Sequence, residues 1–243
     1  PSHDLWEERD GIHLQTLAVV YGALVETSFL AQTFGDFTRA KRYSLVAAEI
    51  SSAARDAFPL TDRGWLPRMR RVNYDLGTLE EISEEDKVLD AGGAAALFQF
   101  ACPPNAEPLF PAEAVKKTME AVKLHLWVRG GVGGVARYQM DPYCADSRCE
   151  YGRDIPGNPW IICTLWLAEW YIFTAECEAD LSRAVQIINW VVRNAALPSG
   201  VLAEQLHPTT GKPLGVSPLA WSHSTFVSTI QRYQLKRRIL KET

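Results

Sequence analysis

The stretch Asp4-Leu5-Trp6-Glu7-Glu8-Arg9 decides how the rest of the chain is read. It places two adjacent carboxylates between a tryptophan and an arginine, directly before a long helical pattern. A loop feeding a helix is the expected local structure. These side chains suit saccharide chemistry. An indole face stacks on the apolar face of a pyranose, and a carboxylic acid can protonate a glycosidic oxygen. A second carboxylate is then needed across the ring. Glu204, in Gly200-Val201-Leu202-Ala203-Glu204-Gln205, is the other carboxylate suited to that role. A general acid must hold its proton near neutral pH. Packing of Glu7 against Trp6, beside the charge of Glu8, favours that.

Working outward, His13 to Phe34 carries apolar residues at helical spacing (Leu14, Leu17, Ala18, Tyr21, Leu24, Val25), and Gly35 closes the pattern. Asp36 is a fitting N-cap for a second helix to Phe58. From Thr61 to Leu79, Gly64, Pro67 and Gly77 interrupt the pattern while Val72, Tyr74 and Leu76 alternate, which predicts a loop with a short strand pair. Ser83-Glu84-Glu85-Asp86 reads as the start of a small-residue helix reaching about Ala101. Pro111 opens the next helix, with Val115, Met119, Val122 and Leu126 on one face and Lys116, Lys117, Glu120 and Lys123 on the other. A long irregular segment, Gly130 to Asn158, is of the kind that usually carries function.

The apolar stretch Trp160 to Ala168 predicts a core helix from about Pro159 to about Ala175, with Glu169 ending the apolar run. Another helix follows from about Ala179 to Ala196, with Leu181, Val185, Ile188 and Val192 inward. After a loop carrying Glu204, a last helix runs from about Leu219 to Leu235. About seven helices with almost no sheet, paired by alternating short and long connections, predict an all-α fold of the α/α barrel type.

The 243 residues are 47% hydrophobic, enough for a sizeable core, and 25 basic against 29 acidic residues give a net charge of −4. That balance argues against nucleic acid or an anionic membrane as partner. No continuous apolar run approaches the roughly 20 residues of a spanning helix, so no membrane is expected. The chain begins at Pro1, and an upstream segment is expected. Five cysteines (Cys102, Cys144, Cys149, Cys163, Cys177) leave one odd, which fits reduced thiols in a cytoplasm. Cys144 and Cys149 form C-x4-C without a second pair, so no metal is expected there.

Three further segments carry candidate chemistry. Arg137-Tyr138-Gln139-Met140-Asp141-Pro142-Tyr143 follows the glycines between Gly130 and Gly134, which lack the Gly-Lys-Ser/Thr of a phosphate loop. Arg137 either pairs with Asp141 as a structural turn or meets a sugar hydroxyl pair. Asn158-Pro159-Trp160 caps the apolar helix and could present an indole. In Trp221-Ser222-His223-Ser224, His223 reads as a hydrogen-bonded neighbour of the site. Neither Gly-x-Ser-x-Gly nor His-Glu-x-x-His occurs.

Together these pieces resemble glycoside hydrolase family 15, the glucoamylase family, in its bacterial and archaeal form. The resemblance rests on Asp4-Leu5-Trp6-Glu7-Glu8-Arg9 with His13 and Thr16, then Gly134-Val135-Ala136-Arg137-Tyr138 with Asp141 and Tyr143. It continues through Asn158-Pro159-Trp160-Ile161 with Thr164-Leu165-Trp166-Leu167-Ala168, Leu202-Ala203-Glu204-Gln205, and Pro218-Leu219-Ala220-Trp221-Ser222-His223. It implies an inverting, exo-acting hydrolase of α-glucans or gluco-oligosaccharides, without cofactor or metal. By it Glu7 is the general acid and Glu204 the base, and Glu8 and Arg137 hold the sugar. Trp6, Tyr143, Trp160 and Trp221 belong to the substrate site.

The resemblance implies an (α/α)6 barrel of six helical hairpins, in which the acid follows the fifth of twelve helices. The resemblance therefore implies a single domain spanning residues 1–243 that is the C-terminal portion of a barrel, lacking the first helices. Such a chain is expected to expose apolar surface and to be oligomeric or poorly active by itself. A non-catalytic, sugar-sensing relative, a trehalase and a glucodextranase are the alternatives. The presence of both Glu7 and Glu204 favours a catalyst over a sensor.

Overall fold

In the computed structural model, which describes residues 1–75 and 78–242, the chain forms two compact units, Pro1–Glu120 and Ala121–Thr243. Seven α-helices are found among the described residues, and two four-stranded antiparallel sheets join them. The fold is mostly helical. The expectation of almost no sheet is corrected, because most of the strands are two to four residues long and leave no alternation to read.

The first unit opens with β1 (Ser2–His3) and β2 (Asp10–His13), paired in register Ser2↔Gly11. Helix α1 (Leu14–Thr33) follows, buries Leu14, Ala18, Tyr21, Gly22 and Val25, and gives way to Gly35 at φ +80°. Helix α2 (Phe37–Ala57) starts where the Asp36 carboxylate accepts the Arg39 N–H at 3.0 Å, and it packs against α1. Strands β3 (Met69–Asp75) and β4 (Thr78–Asp86) complete the sheet in the order β1-β2-β3-β4. The expected strand pair is therefore present and longer than foreseen; Leu76 of its alternation and the interrupting Gly77 lie outside the described residues. Ser83 to Asp86 belongs to β4 and opens no helix. Helix α3 (Ala91–Gln99) begins later, at Asp90, whose carboxylate takes the Gly93 N–H at 2.9 Å. Every residue from Ala91 to Phe98 is buried.

Two features of α1 bear on the sequence expectations. An 18-residue stretch within it has a mean hydropathy of 1.4, so by length and composition it could cross a membrane. Interleaved Thr16, Glu26, Thr27 and Ser28 hid this from a search for unbroken apolar runs. The second feature is exposure: Phe29 and Leu30 of α1, Phe34 just past its end, and Phe37 and Leu45 of α2 are all at least half exposed.

Helix α4 (Ala112–His125) spans the boundary between the units. It buries Ala114, Val115, Met119 and Val122 and exposes Lys116, Lys117, Glu120 and Lys123, the two faces foreseen. In the second unit, α5 (Ile161–Thr174) is buried on every side from Ile161 to Glu169 and contacts α6 (Ser182–Trp190) and α7 (Ala220–Glu242). Glu169 does not interrupt this helix. Its buried carboxylate accepts the Thr229 hydroxyl of α7 at 2.9 Å. Helix α6 widens into a π turn at Val191–Ala195, and the buried stripe is Leu181, Ala184, Ile188 and Val191; Val192, expected inward, is half exposed. The second sheet joins β5 (Val135–Ala136), β6 (Pro159–Trp160), β7 (Gln205–Leu206) and β8 (Pro213–Leu214) in that order.

Candidate active site

The candidate residues lie in two clusters, one in each unit. In the first, the Asp4–Arg9 stretch is the turn between β1 and β2. It closes on itself: Asp4 N–H donates to Arg9 O at 2.9 Å and Glu7 N–H to Asp4 O at 3.1 Å. The buried Asp4 carboxylate accepts the Glu8 N–H at 2.7 Å and Arg9 Nη1 at 3.4 Å. An aspartate that satisfies the backbone of its own loop is what fixes such a turn. Glu7 occupies the crest at φ +58°, a left-handed conformation uncommon for a residue with a side chain. Arg9 also pairs with Glu8 at 2.5 Å.

Trp6 does not cover Glu7, as the sequence reading expected. Its indole N–H donates to Asp90 Oδ2 at 2.8 Å, and Glu7 is exposed. Asp90 thus serves two donors, Gly93 N–H on Oδ1 and Trp6 on Oδ2. Burial holds its carboxyl above the ordinary value, against the opposing pull of Gly93, Arg68 and Trp6. Trp6, Asp4, His13, Arg68 and Asp90 line a small cleft under the turn.

In the second unit, the sheet assembles residues that are far apart in sequence. Val135 pairs with Trp160, Trp160 with Gln205, and Gln205 with Leu214. This puts Arg137 one residue past β5, Trp160 in β6 and Glu204 one residue before β7. Gly134, at φ +87°, is where the glycine run matters: a β-carbon there would meet Trp190 at 2.7 Å and Pro159 at 2.8 Å.

Arg137 is buried and bidentate to Asp141, Nε–Oδ2 and Nη2–Oδ1 both 2.7 Å. Its guanidinium lies over the rings of Trp160, Tyr143 and Tyr138, at 4.7, 5.0 and 5.2 Å from their centroids. Trp160 is buried, so it backs the arginine from beneath, while Tyr143 is 41% exposed and stands at the surface of the cluster. The Glu204 carboxylate is the first cause that holds the Tyr143 phenol above its ordinary value, with burial second. That phenol stays a neutral donor beside a carboxylate. Glu204 itself is 9% exposed, and Gln205 Nε2 donates to its Oε2 at 3.4 Å.

Asn158 holds the cluster together. Its amide donates to Gln205 Oε1 at 2.9 Å and to the carbonyls of Cys144 at 3.0 Å and Tyr143 at 3.3 Å, and it accepts Tyr151 Oη at 2.9 Å. Its importance was hidden by its reading as a helix cap; α5 in fact starts after Trp160, which makes no side-chain cap bond. Trp221 stands at the start of α7 with its ring 5.9 Å from that of Trp166. Its neighbour Ser222 donates to Ala203 O at 2.8 Å, and His223 Nε2 accepts the Leu202 N–H at 2.9 Å. The histidine is hydrogen-bonded, as foreseen, and its partner is the backbone two residues before Glu204.

Chemically, the second cluster offers a carboxylate, a neutral phenol and a charge-neutralised guanidinium against aromatic faces, a surface suited to a polyhydroxylated, uncharged ligand. Among the described residues, those with side chains at positive φ are Glu7, Met140 and Cys144, one in the first cluster's turn and two beside Asp141 and Tyr143. Backbone strain of this kind concentrates at functional sites.

Comparison with known proteins bears on the family and the fold. The chain is 26% identical over 238 residues to an uncharacterized glycosyl hydrolase of Methanocaldococcus jannaschii, covering 93% of this chain and 33% of that protein. It is 23% identical over 270 residues to glucoamylase 1 of Rhizopus oryzae, covering 93% of this chain and 43% of that protein. The chain thus spans well under half the length of either relative. Its fold is similar to that of a bacterial glucoamylase solved with acarbose, with a TM-score of 0.70 at 20% identity over 96% of this chain and 35% of that one. The sequence model of glycosyl hydrolases family 15 matches residues 1–231, and the chain belongs to that family.

Proposed function

We propose that this chain carries the reacting carboxylates of an inverting, exo-acting hydrolase. It would release glucose from the non-reducing ends of α-glucans or gluco-oligosaccharides, as a glucan 1,4-α-glucosidase does. Residues 1–243 are read as the C-terminal portion of one catalytic domain, and the exposed apolar side chains of α1 and α2 support that reading. The odd number of thiols supports a reducing, cytoplasmic setting. The observation that carries the functional reading is the cluster of Glu204, Tyr143, Arg137 and Trp160 around one enclosed carboxylate.

In this mechanism Glu7 donates its proton to the glycosidic oxygen as the bond to C1 breaks. Glu204 takes a proton from the water that attacks C1 from the opposite face. Inversion needs about 6.5–9.5 Å between the two carboxyl groups, so that the water fits. Glu8 accepts from sugar hydroxyls. Arg137, held flat by Asp141 and Trp160, orients the ring, and Trp6, Tyr143 and Trp221 contribute aromatic contact. No metal or cofactor takes part, and neither nucleic acid nor a membrane is a partner in this reading.

The test is the anomer first released from maltose and isomaltose, followed by NMR, with the natural full-length polypeptide and its Glu204→Gln variant. Wild type should release β-glucose, and the variant should lose about 100-fold to 10,000-fold in rate. Release of α-glucose would mean a retaining mechanism and a different role for Glu204. Binding of glucose without any hydrolysis would favour a sugar-sensing relative.

A further inference from the structure

Among the described residues, and outside those used above, one cluster combines three different donor types. Cys149 Sγ lies 3.5 Å from His207 Nε2, which lies 3.2 Å from Asp146 Oδ2. All three donor atoms lie within 4.8 Å of one another, and all three residues are half-buried. The sequence reading paired Cys149 with Cys144 and found too few ligands; the fold pairs it with His207 and Asp146 instead.

We propose that Asp146, Cys149 and His207 form a zinc site that ties the loop bearing Tyr143 to the hairpin bearing Glu204. The spacing is what supports it. Zinc bonds of about 2.3 Å to sulfur and about 2.0 Å to nitrogen or oxygen, at tetrahedral angles, give a sulfur–nitrogen edge of about 3.5 Å. The nitrogen–oxygen edge comes to about 3.3 Å. The two distances found are therefore already those of two edges of a zinc tetrahedron. Small side-chain rotation brings the third edge in, and the half-exposed side admits a water as fourth ligand. One nitrogen, one thiolate and one carboxylate select zinc over calcium or magnesium, which take oxygen ligands.

The surroundings suit such a site. Arg148 holds the Asp146 carboxylate through Nη2–Oδ2 at 2.7 Å and Nε–Oδ1 at 3.0 Å, which orients it while leaving lone pairs for a metal. His207 Nδ1 lies 3.2 Å from Thr209 Oγ1 and accepts the N–H groups of Thr209 and Thr210 at 3.3 and 3.2 Å. Its ring proton therefore sits on Nε2. On metal binding that proton passes through solvent to Nδ1, the Thr209 hydroxyl accepts it there, and the N–H groups of the exposed Thr209 and Thr210 turn from the ring to water. The Cys149 thiol releases one proton to solvent. Two ligand charges then balance the dication.

The consequence reaches the candidate active site. Asp146 N–H donates to Tyr151 Oη at 3.0 Å, and that hydroxyl donates to Asn158. His207 directly follows β7, and its N–H donates to Lys212 O at 2.7 Å across the hairpin. A metal here would brace from outside the contact that Asn158 makes with Gln205 from inside. Binding itself stands apart from the reading of the reaction, so the test does not use activity.

The experiment titrates metal-free wild-type chain with Co2+ and reads the thiolate-to-cobalt charge-transfer band in the near ultraviolet. One Co2+ per chain should produce it, and Zn2+ should abolish it by displacement. Cys149→Ser should remove the band, His207→Ala should weaken binding at least about tenfold, and Cys144→Ser should leave it intact. A second measurement needs no variant: Zn2+ should slow iodoacetamide labelling of wild-type Cys149, located by mass spectrometry, about tenfold or more. Absence of the band at saturating Co2+, its persistence in Cys149→Ser, or a labelling rate indifferent to Zn2+ would overturn the proposal.

Discussion

Gly215 backs directly onto the Glu204 carboxylate: a β-carbon built there would fall 2.0 Å from Oε2 and 3.1 Å from the Glu204 β-carbon. Its backbone is left-handed as well, at φ +68°. Gly215→Ala must therefore push the carboxylate aside. A displacement of about 1 Å at a reacting group can cost about 100-fold. We expect a fall in kcat of that order with a smaller change in KM, measured on maltose, and a circular dichroism spectrum close to that of wild type.

The two proposed proton-transfer roles separate by substrate. Glu7→Gln should depress maltose hydrolysis by about 100-fold to 10,000-fold. It should recover much of its rate on α-glucosyl fluoride, whose leaving group needs no proton from an acid. Glu204→Gln should recover nothing, because water activation is still required. Equal loss on both substrates for Glu7→Gln would remove the acid role from that residue.

The Arg137–Asp141 pair is almost fully buried. Removing one partner leaves a charge without its counter-ion in a dry place, at a cost of about 3–5 kcal/mol. Asp141→Ala should lower stability by that amount in urea unfolding followed by tryptophan fluorescence. Replacing both together, Arg137→Met with Asp141→Leu, should recover part of the stability but none of the affinity for sugar.

His13 ends β2 and is buried, its Nε2 at 3.0 Å from Ser2 O. Burial is the first cause that holds its imidazole below 6.5, outweighing the nearby charges of Asp4 and Asp90. In the window between the folded value and 6.5, the unfolded chain binds a proton that the folded chain does not. Stability therefore rises with pH across that window and is lost as pH falls through it. The melting temperature of wild type should drop more steeply than that of His13→Gln between about pH 7.5 and about pH 5.5. His3, raised by its hydrogen bond to Asp10, contributes with the opposite sign. It is common to both proteins, so their difference isolates His13.

The helices were legible because each long one writes its buried face repeatedly: α4 shows Val115, Met119 and Val122 on one side and lysines on the other. The second sheet was not legible. Its strands are two residues long, too short for alternation, yet they bring Arg137, Trp160 and Glu204 into one cluster. The motif residues could be found from composition and local chemistry, while their juxtaposition depends on contacts that leave no trace in any single window. Ser83 to Asp86 misled for a related reason. Acidic residues before a helix suggest a helix start, but here they finish a strand, and the true cap is Asp90, four residues on.

The Asp90 carboxylate spends one oxygen on the first turn of α3 and the other on the Trp6 indole. The β1–β2 turn is thereby moored to the most enclosed helix of its unit. A side chain enlarged anywhere along that helix's interior face would tug on the mooring, and the carboxyl at position 7 would drift although nothing near it had been altered.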